Sequence, residues 1–328
     1  MARIAITDGM ANDAVRALKK AGHKVIEQFF SEEELLNGAL KDFDAVIVRS
    51  ATKLTQPIIE ANLGKMRVIG RAGVGVDNIN LESAGKNGIT VVNAPRASTQ
   101  SVVELTMAHL LSSVRHVPKS DRSMRQSKWE KKSLKGTELS GKSLGLIGFG
   151  RIAQGVGKIA QVIGMTVHTY DPYLPPKIAK LQNTRLHKNV DTLFSSCTHI
   201  SVHCNLNEET SHLVNLARMK MMPGESVNGV KCGNHIINCA RGGIINEDDL
   251  LTALDEGIIA SAALDVFEIE PVSKGNKLVQ HPNFHSTPHI GAATVEAQKR
   301  VGLDIVRNVM TVLAGKKSDF VVNKQYLK

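Results

Sequence analysis

The sequence contains no apolar run near the roughly 20 residues needed to cross a bilayer. Its start, Met1-Ala-Arg-Ile-Ala-Ile6, alternates like a strand instead of joining a charged leader to a long apolar core. These absences set aside a membrane-spanning protein and give the expectation of a chain without an export signal. Cysteine is scarce: Cys197, Cys204, Cys232 and Cys239 include no C-x-x-C pair. A disulfide framework is therefore not expected, and a cytoplasmic enzyme with reduced thiols is. Stacking aromatics are missing where nucleic acid would need them. Residues 115–136 hold eight Lys/Arg against Asp121 and Glu130, a local net charge of +6 in a chain of formal net charge +10. Only Trp129 interrupts that run, so a nucleic-acid partner is not expected. The run reads as a solvated face, or as a field that attracts an anionic substrate.

What is present is a long chain with regular punctuation. At 328 residues and 42% hydrophobic composition, two domains are expected. Short apolar runs recur at Ile4–Ile6, Ala45–Val48, Val68–Ile69 and Thr90–Val92, and again at Leu144–Ile147, Thr166–Tyr170, His199–Val202, Ile236–Ile237 and Ala262–Leu264, with a last strand-like run near His285. Helical patterns lie between many of them. Alternation of this kind implies βαβ units and parallel sheets buried on both faces, so the fold class is α/β. Val103, Thr106, Leu110, Leu111 and Val114 mark an amphipathic helix entered through Ser98-Thr99 that leads from one domain to the next. The last forty or so residues, with a helical pattern at Val301, Ile305, Val309 and Val312, are too few for a domain and should return to the first. The expected division is 1–98 plus 288–328, and 99–287.

The stretch Leu144-Gly-Leu-Ile-Gly148-Phe-Gly150-Arg151-Ile152-Ala153 is a strand running into G-x-G-x-x-A and a helical pattern. Asp171 closes the next strand 23 residues after Gly148 (171 − 148). That order of strand, glycine turn, helix, strand and acid is the dinucleotide fingerprint. Gly148 permits the turn, Gly150 admits the pyrophosphate, Ala153 lets helix meet strand, and the helix N-terminus receives phosphate charge. Asp171 would bind the adenosine ribose and repel a 2′-phosphate, and the following Pro172-Tyr173 offers no arginine to accept one. NAD is expected over NADP.

Three further segments are Asn238-Cys239-Ala240-Arg241-Gly-Gly, Ala263-Leu-Asp265-Val-Phe-Glu-Ile-Glu270-Pro and Thr287-Pro-His289-Ile-Gly291-Ala292-Ala. Together with the glycine turn they resemble the signatures of the D-2-hydroxyacid dehydrogenases, and the resemblance covers nearly the whole chain. It implies a flavodoxin-like substrate domain beside a Rossmann NAD-binding domain, with a cleft between them, and a homodimer. It implies a catalytic trio of Arg241, Glu270 and His289. His289 would be the base for the substrate hydroxyl, Glu270 would stabilise its charged form, and Arg241 would clamp the carboxylate through a planar pair that lysine cannot make. Glu270 stands where formate-oxidising relatives carry an amide, which favours hydroxy-acid chemistry. Softer cofactor contacts implied by the resemblance are Asp265 to the nicotinamide carboxamide, with Val74, Arg151, Ile152, Cys204, Cys239, Ala240, Gly291 and Ala292 lining the site. His281, His285 and His289 are spaced by four, but Pro282 and Pro288 argue against a helix there, and no metal is expected.

The substrate is expected to be a small anionic 2-hydroxy or 2-oxo acid. Val48-Arg49-Ser50-Ala-Thr52 and Gly70-Arg71-Ala-Gly73-Val74-Gly75-Val-Asp77-Asn78 resemble the substrate loops of members that oxidise D-3-phosphoglycerate, the opening step of serine synthesis. Arg49, Ser50 and Arg71 would hold the distal phosphate, and the backbone at Val74-Gly75 would help with the carboxylate. Two departures weaken the substrate reading: Arg96-Ala-Ser-Thr lacks an asparagine found in some relatives, and 224–233 looks like an insertion before the Arg241 strand. The sequence shows none of the additional C-terminal regulatory domains of longer relatives, so feedback through them is not expected. Reductases of glyoxylate or hydroxypyruvate are the enzymatic alternative, and an NAD-responsive corepressor scaffold is the non-enzymatic one.

Overall fold

A computed structural model describes residues 1–327. The chain forms two compact units, Met1–Thr99 with Ala292–Lys328, and Gln100–Gly291. Among the described residues, no helix is long and apolar enough to cross a membrane.

The first unit is built on β1 (Arg3–Ile6), β2 (Lys24–Glu27), β3 (Ala45–Val48), β4 (Val68–Arg71) and β5 (Thr90–Asn93), ordered β2-β1-β3-β4-β5 with every ladder parallel. This is the flavodoxin-like order. Successive side chains of a strand face opposite sides, so a sheet covered on both faces needs apolar residues at every position. Ile4 and Ile6 of β1 and Ala45 and Ile47 of β3 pack on one face with Val301, Ile305 and Val309 of the helix Val295–Leu313. Ala5, Val46 and Val48 pack on the other with Leu35, Ile58 and Ala84. Gly70 lies so close to this C-terminal helix that a Cβ there would stand 2.6 Å from Val309.

The second unit carries β6 (Ser143–Ile147), β7 (Thr166–Tyr170), β8 (Arg185–His187), β9 (His199–Val202), β10 (His235–Asn238), β11 (Ser261–Leu264) and β12 (Phe284–Ser286). Their order is β12-β11-β10-β9-β6-β7-β8, again wholly parallel. Counted within the unit this is 3-2-1-4-5-6-7, the doubly wound dinucleotide order with one added strand. The α/β class, the parallel sheets and the flavodoxin-like and Rossmann-like orders agree with the expectation. The chain stays with this unit beyond residue 288 because His289, Ile290 and Gly291 all donate backbone N–H groups to Asp265.

Two strands absent from the sequence reading are β2 and β8. Each is an edge strand, only one of their seven residues is buried, and they therefore lack the apolar run that marks the others.

Candidate active site

The register of the second sheet aligns the residues singled out in the sequence. Tyr170, Ile147, Val202, Asn238, Leu264 and Ser286 form one row across β7, β6, β9, β10, β11 and β12, and each is the last residue of its strand. The next residues are Asp171, Gly148, His203, Cys239, Asp265 and Thr287. In a parallel sheet all these loops leave the same edge, where open α/β sheets bind ligands.

At the point where strand order reverses, between β6 and β9, Gly148 adopts φ +85°. A Cβ there would also lie 2.9 Å from the His203 carbonyl oxygen, so only glycine fits on both counts. Its N–H donates to Tyr170 O at 2.8 Å. Gly150 caps the helix Arg151–Val162 without a side-chain cap, and nothing stands within 4 Å of where its Cβ would be. Space is therefore open beside Gly150 at the positive end of that helix, which suits a pyrophosphate. Ala153 is fully buried. Asp171 accepts from Phe149 N at 2.9 Å and Tyr173 N at 3.0 Å, one bond on each oxygen. Each oxygen keeps capacity for a ribose hydroxyl, so the residues present fit a dinucleotide.

The catalytic candidates follow β10, β11 and β12. The Arg241 loop is shaped by Asn238, whose side chain accepts from Ala240 N and donates to Arg241 O, both at 2.8 Å. Arg241 Nη1 donates to Ala240 O at 2.6 Å. Gly242 passes so close to the neighbouring loop that a Cβ would stand 1.8 Å from Phe267 O. Glu270 accepts from Phe267 N at 3.0 Å through Oε1, and its Oε2 lies 2.8 Å from His289 Nδ1. An ionised carboxylate can only accept, so Nδ1 carries the proton of that bond and Nε2 is left as an acceptor. His289 itself has φ +52°, a left-handed conformation uncommon for a side chain of its size. Its backbone N–H is held there by Asp265 O and Thr287 O at 2.9 and 3.0 Å.

Asp265, to which the resemblance assigns the nicotinamide carboxamide, also anchors its neighbours. It is 1% exposed, and its carboxylate accepts from Ile290 N, Gly291 N and Thr287 Oγ1. It holds the His289 segment in place and does not face open space. Cys239 is 8% exposed among core residues, so its backbone and not its thiol borders the edge. Burial raises the Cys239 thiol to about 12 and the half-buried Cys204 to about 11, which leaves neither as a thiolate. Ala240 is half-buried, Arg151 exposed and Ile152 half-buried. The three histidines spaced by four have separate partners: His281 pairs with Asp255, His285 packs on His109, and His289 bonds Glu270.

In the first unit, Arg49 follows β3 and Arg71 ends β4 in register with Val48 and Asn93. Arg49 N donates to Asp8 Oδ2 at 2.6 Å, and Asn78 Nδ2 donates to the carbonyls of Arg49 and Thr52 at 2.8 and 2.7 Å. Ser50 is exposed, Gly75 and Ala292 are half-buried, and Val74 is exposed with its carbonyl accepting from Asn93 Nδ2. Arg71 Nη1 turns back toward its own loop and donates to Ala72 O at 3.2 Å. Sequence reasoning missed Asp8, Asn238, Thr287 and His109 as positioning groups. Asn238 and Thr287 stood inside the recognised motifs, and Asp8 follows the end of β1 where a loop-fixing acid could have been sought. The 224–233 loop precedes β10 and therefore leaves the opposite sheet edge.

Residues 107–291 match the family model described as "D-isomer specific 2-hydroxyacid dehydrogenase, NAD binding domain". The chain is 42% identical over 323 residues to a D-3-phosphoglycerate dehydrogenase of Methanocaldococcus jannaschii, covering 98% of this chain and 60% of that protein. It is 40% identical over 314 residues to a hydroxypyruvate reductase of Thermotoga maritima, covering 95% and 98%. The NAD+-bound 3-phosphoglycerate dehydrogenase structure from Entamoeba histolytica superposes with TM-score 0.80 at 31% identity, covering 98% of this chain and 99% of that one. The chain thus spans about half to three-fifths of the D-3-phosphoglycerate dehydrogenases of M. jannaschii, Bacillus subtilis and Arabidopsis thaliana that it matches.

Proposed function

This chain belongs to the D-isomer specific 2-hydroxyacid dehydrogenases, and on that premise we propose that it oxidises D-3-phosphoglycerate to 3-phosphohydroxypyruvate with NAD, the step that would open serine synthesis in the cytoplasm. The observation that carries the reading is the 2.8 Å His289–Glu270 pair, on the same sheet edge as the dinucleotide turn. NAD supplies a hydride acceptor for the C2 hydrogen. Gly148, Gly150 and the first turn after Arg151 would hold its pyrophosphate, and Asp171 its ribose. His289 Nε2 would take the hydroxyl proton while Glu270 stabilises the imidazolium so formed. Arg241 would leave its bond to Ala240 O to clamp the carboxylate, and Arg49, Ser50 and Arg71 would bind the distal phosphate. A homodimer completes the proposal, and the mass of the protein in solution checks it.

Steady-state NADH oxidation with a panel of 2-oxo acids tests the function. Phosphohydroxypyruvate is expected to be preferred, and His289→Ala to lower kcat by about 10²–10⁴-fold while NADH binding persists. Undiminished turnover in that variant would overturn the mechanism. The hydroxypyruvate reductase of Thermotoga maritima, matched over 98% of its own length, supports a second reading, a hydroxypyruvate or glyoxylate reductase with no need of a phosphate clamp. Arg49→Ala and Arg71→Ala decide between them: each should cost kcat/KM for the phosphorylated acid about ten- to a hundredfold and spare hydroxypyruvate. If hydroxypyruvate is preferred and neither change affects phosphohydroxypyruvate, the reductase reading takes its place.

A further inference from the structure

In the five-stranded sheet β5 is an edge strand, and the segment 318–323 lies along its outer side. Main-chain groups of alternate residues point outward from such an edge, and each needs a partner. Ile89 O, just before the strand, accepts from Asn323 Nδ2, and Val91 N donates to Asn323 Oδ1, both at 2.9 Å. Val91 O accepts from Val322 N at 2.9 Å. Asn93 N donates to Phe320 O at 3.3 Å, and Asn93 O accepts at 3.0 Å from Nδ2 of Asn308, on the helix Val295–Leu313. Ser318 joins that helix to the segment, donating to Asn308 Oδ1 at 3.5 Å and accepting from Phe320 N at 3.2 Å. Asn93, Asn308 and Ser318 are all buried, and a satisfied buried polar network holds its members rigidly.

Asn93 is where this edge meets the candidate substrate loop. With its main chain held from both sides, its Nδ2 donates to Val74 O at 2.7 Å, and the N–H of the next residue, Ala94, donates to Gly73 O at 2.9 Å. Both peptide bonds that follow these carbonyls are trans. Across a trans peptide the C=O and the following N–H point in opposite directions. Anchoring the Gly73 and Val74 carbonyls on the end of β5 therefore turns the N–H groups of Val74 and Gly75 the other way. Among the described residues neither of these has an acceptor. Two such donors side by side are a backbone arrangement that suits an anion.

We propose that Asn93 is a positioning residue of the substrate loop: fixed on the sheet edge by Phe320 and Asn308, it aims its carboxamide at Val74 O and so presents the Gly75 N–H to the substrate carboxylate. The proposal rests on the reading of Val74-Gly75 as part of the carboxylate site. It gives Asn308 and the segment 318–323 a part in substrate binding through Asn93. The residue type fits the task, since the amide can donate to a carbonyl where an ionised aspartate of the same shape could only accept. Val74 is exposed, so without that donor its carbonyl can turn to water and the Gly75 N–H turns with it.

Hydrogen–deuterium exchange of the intact protein, read by mass spectrometry, tests the anchoring apart from any activity. The bonded N–H groups of Ala72, Gly73, Ile79 and Asn80 report opening of the loop. In Asn93→Leu, which keeps the branched shape and removes the donor, peptides over 72–80 should exchange about tenfold faster, and those over β1 and β3 at their original rate. Asn308→Ala should act in the same direction, and it carries both measurements if Asn93→Leu fails to fold. In steady-state assays KM should rise alike for phosphohydroxypyruvate and hydroxypyruvate, which share the carboxylate, by about tenfold in Asn93→Leu, with kcat within about threefold and NADH affinity unchanged. Unchanged loop exchange in both variants, exchange raised equally throughout the first unit, an unmoved KM, or a KM that rises for the phosphorylated acid alone would overturn the proposal and leave the dehydrogenase reading standing. Failure of that reading would instead show in the unsubstituted protein, as no turnover of any acid, and would take this proposal with it.

Discussion

Two residues show how far local chemistry reaches. Gly242 stands in a recognised motif, but the spacing of that motif does not say why glycine is needed. The reason is the Phe267 carbonyl, which would lie 1.8 Å from any Cβ. Gly242→Ala should destabilise the second unit by more than about 2 kcal/mol, seen as a lower urea midpoint, and should depress turnover with it. An unchanged midpoint would show that the two loops can part freely. His289 was identifiable by its proton chemistry, whereas its left-handed backbone was not, because φ is imposed by Asp265 and Thr287 from outside the residue.

At the scale of elements, the site is a set of loops leaving β10, β11 and β12 side by side. Asp265 joins the last two by accepting from Thr287 Oγ1, Ile290 N and Gly291 N. Glu247 and Glu268 lock the first two reciprocally, each accepting the other's backbone N–H at 2.6 and 3.2 Å. Asp265→Asn would set an amide donor against a backbone donor and should cost about 1–3 kcal/mol of stability. Because His289 then loses its placement, kcat should fall more than NADH affinity, and stopped-flow binding beside steady-state rates separates the two. Equal loss in both would assign Asp265 to the cofactor contact that the resemblance implied. The central strands were legible as apolar runs, since sheets covered on both faces require them, while β2 and β8 at the edges carry no such signature.

Three pairs of histidines in the second unit pack ring against ring, His109 with His285, His168 with His187, and His199 with His235. His199 and His235 face each other in register on β9 and β10 with ring centroids 4.6 Å apart, at 0% and 3% exposure. Burial holds both below the ordinary imidazole range, His235 at about 4. In the unfolded chain both would titrate near 6.5. Between pH 6.5 and 4 the unfolded state therefore binds more protons, and stability falls as pH falls. Full stability is expected above pH 6.5, with a loss approaching about 1.4 kcal/mol per pH unit for each histidine below it. Urea unfolding at pH 7, 6 and 5 reads this directly, and a midpoint that did not move would refute the neutral pair.

The sequence by itself determined the α/β class, the dinucleotide turn and the identity of Arg241, Glu270 and His289 as candidates. The first two arise from alternation and glycine spacing, and the trio from motifs whose resemblance to a known family implies their roles, all local properties of the chain. Tertiary structure decided what depends on neighbours distant in sequence. Register placed six strand ends in one row. Burial and three accepted hydrogen bonds made Asp265 the anchor of the His289 segment. Strand direction put the 224–233 loop and the basic helix at the edge away from that row, because parallel strands all begin at one edge of their sheet and all end at the other.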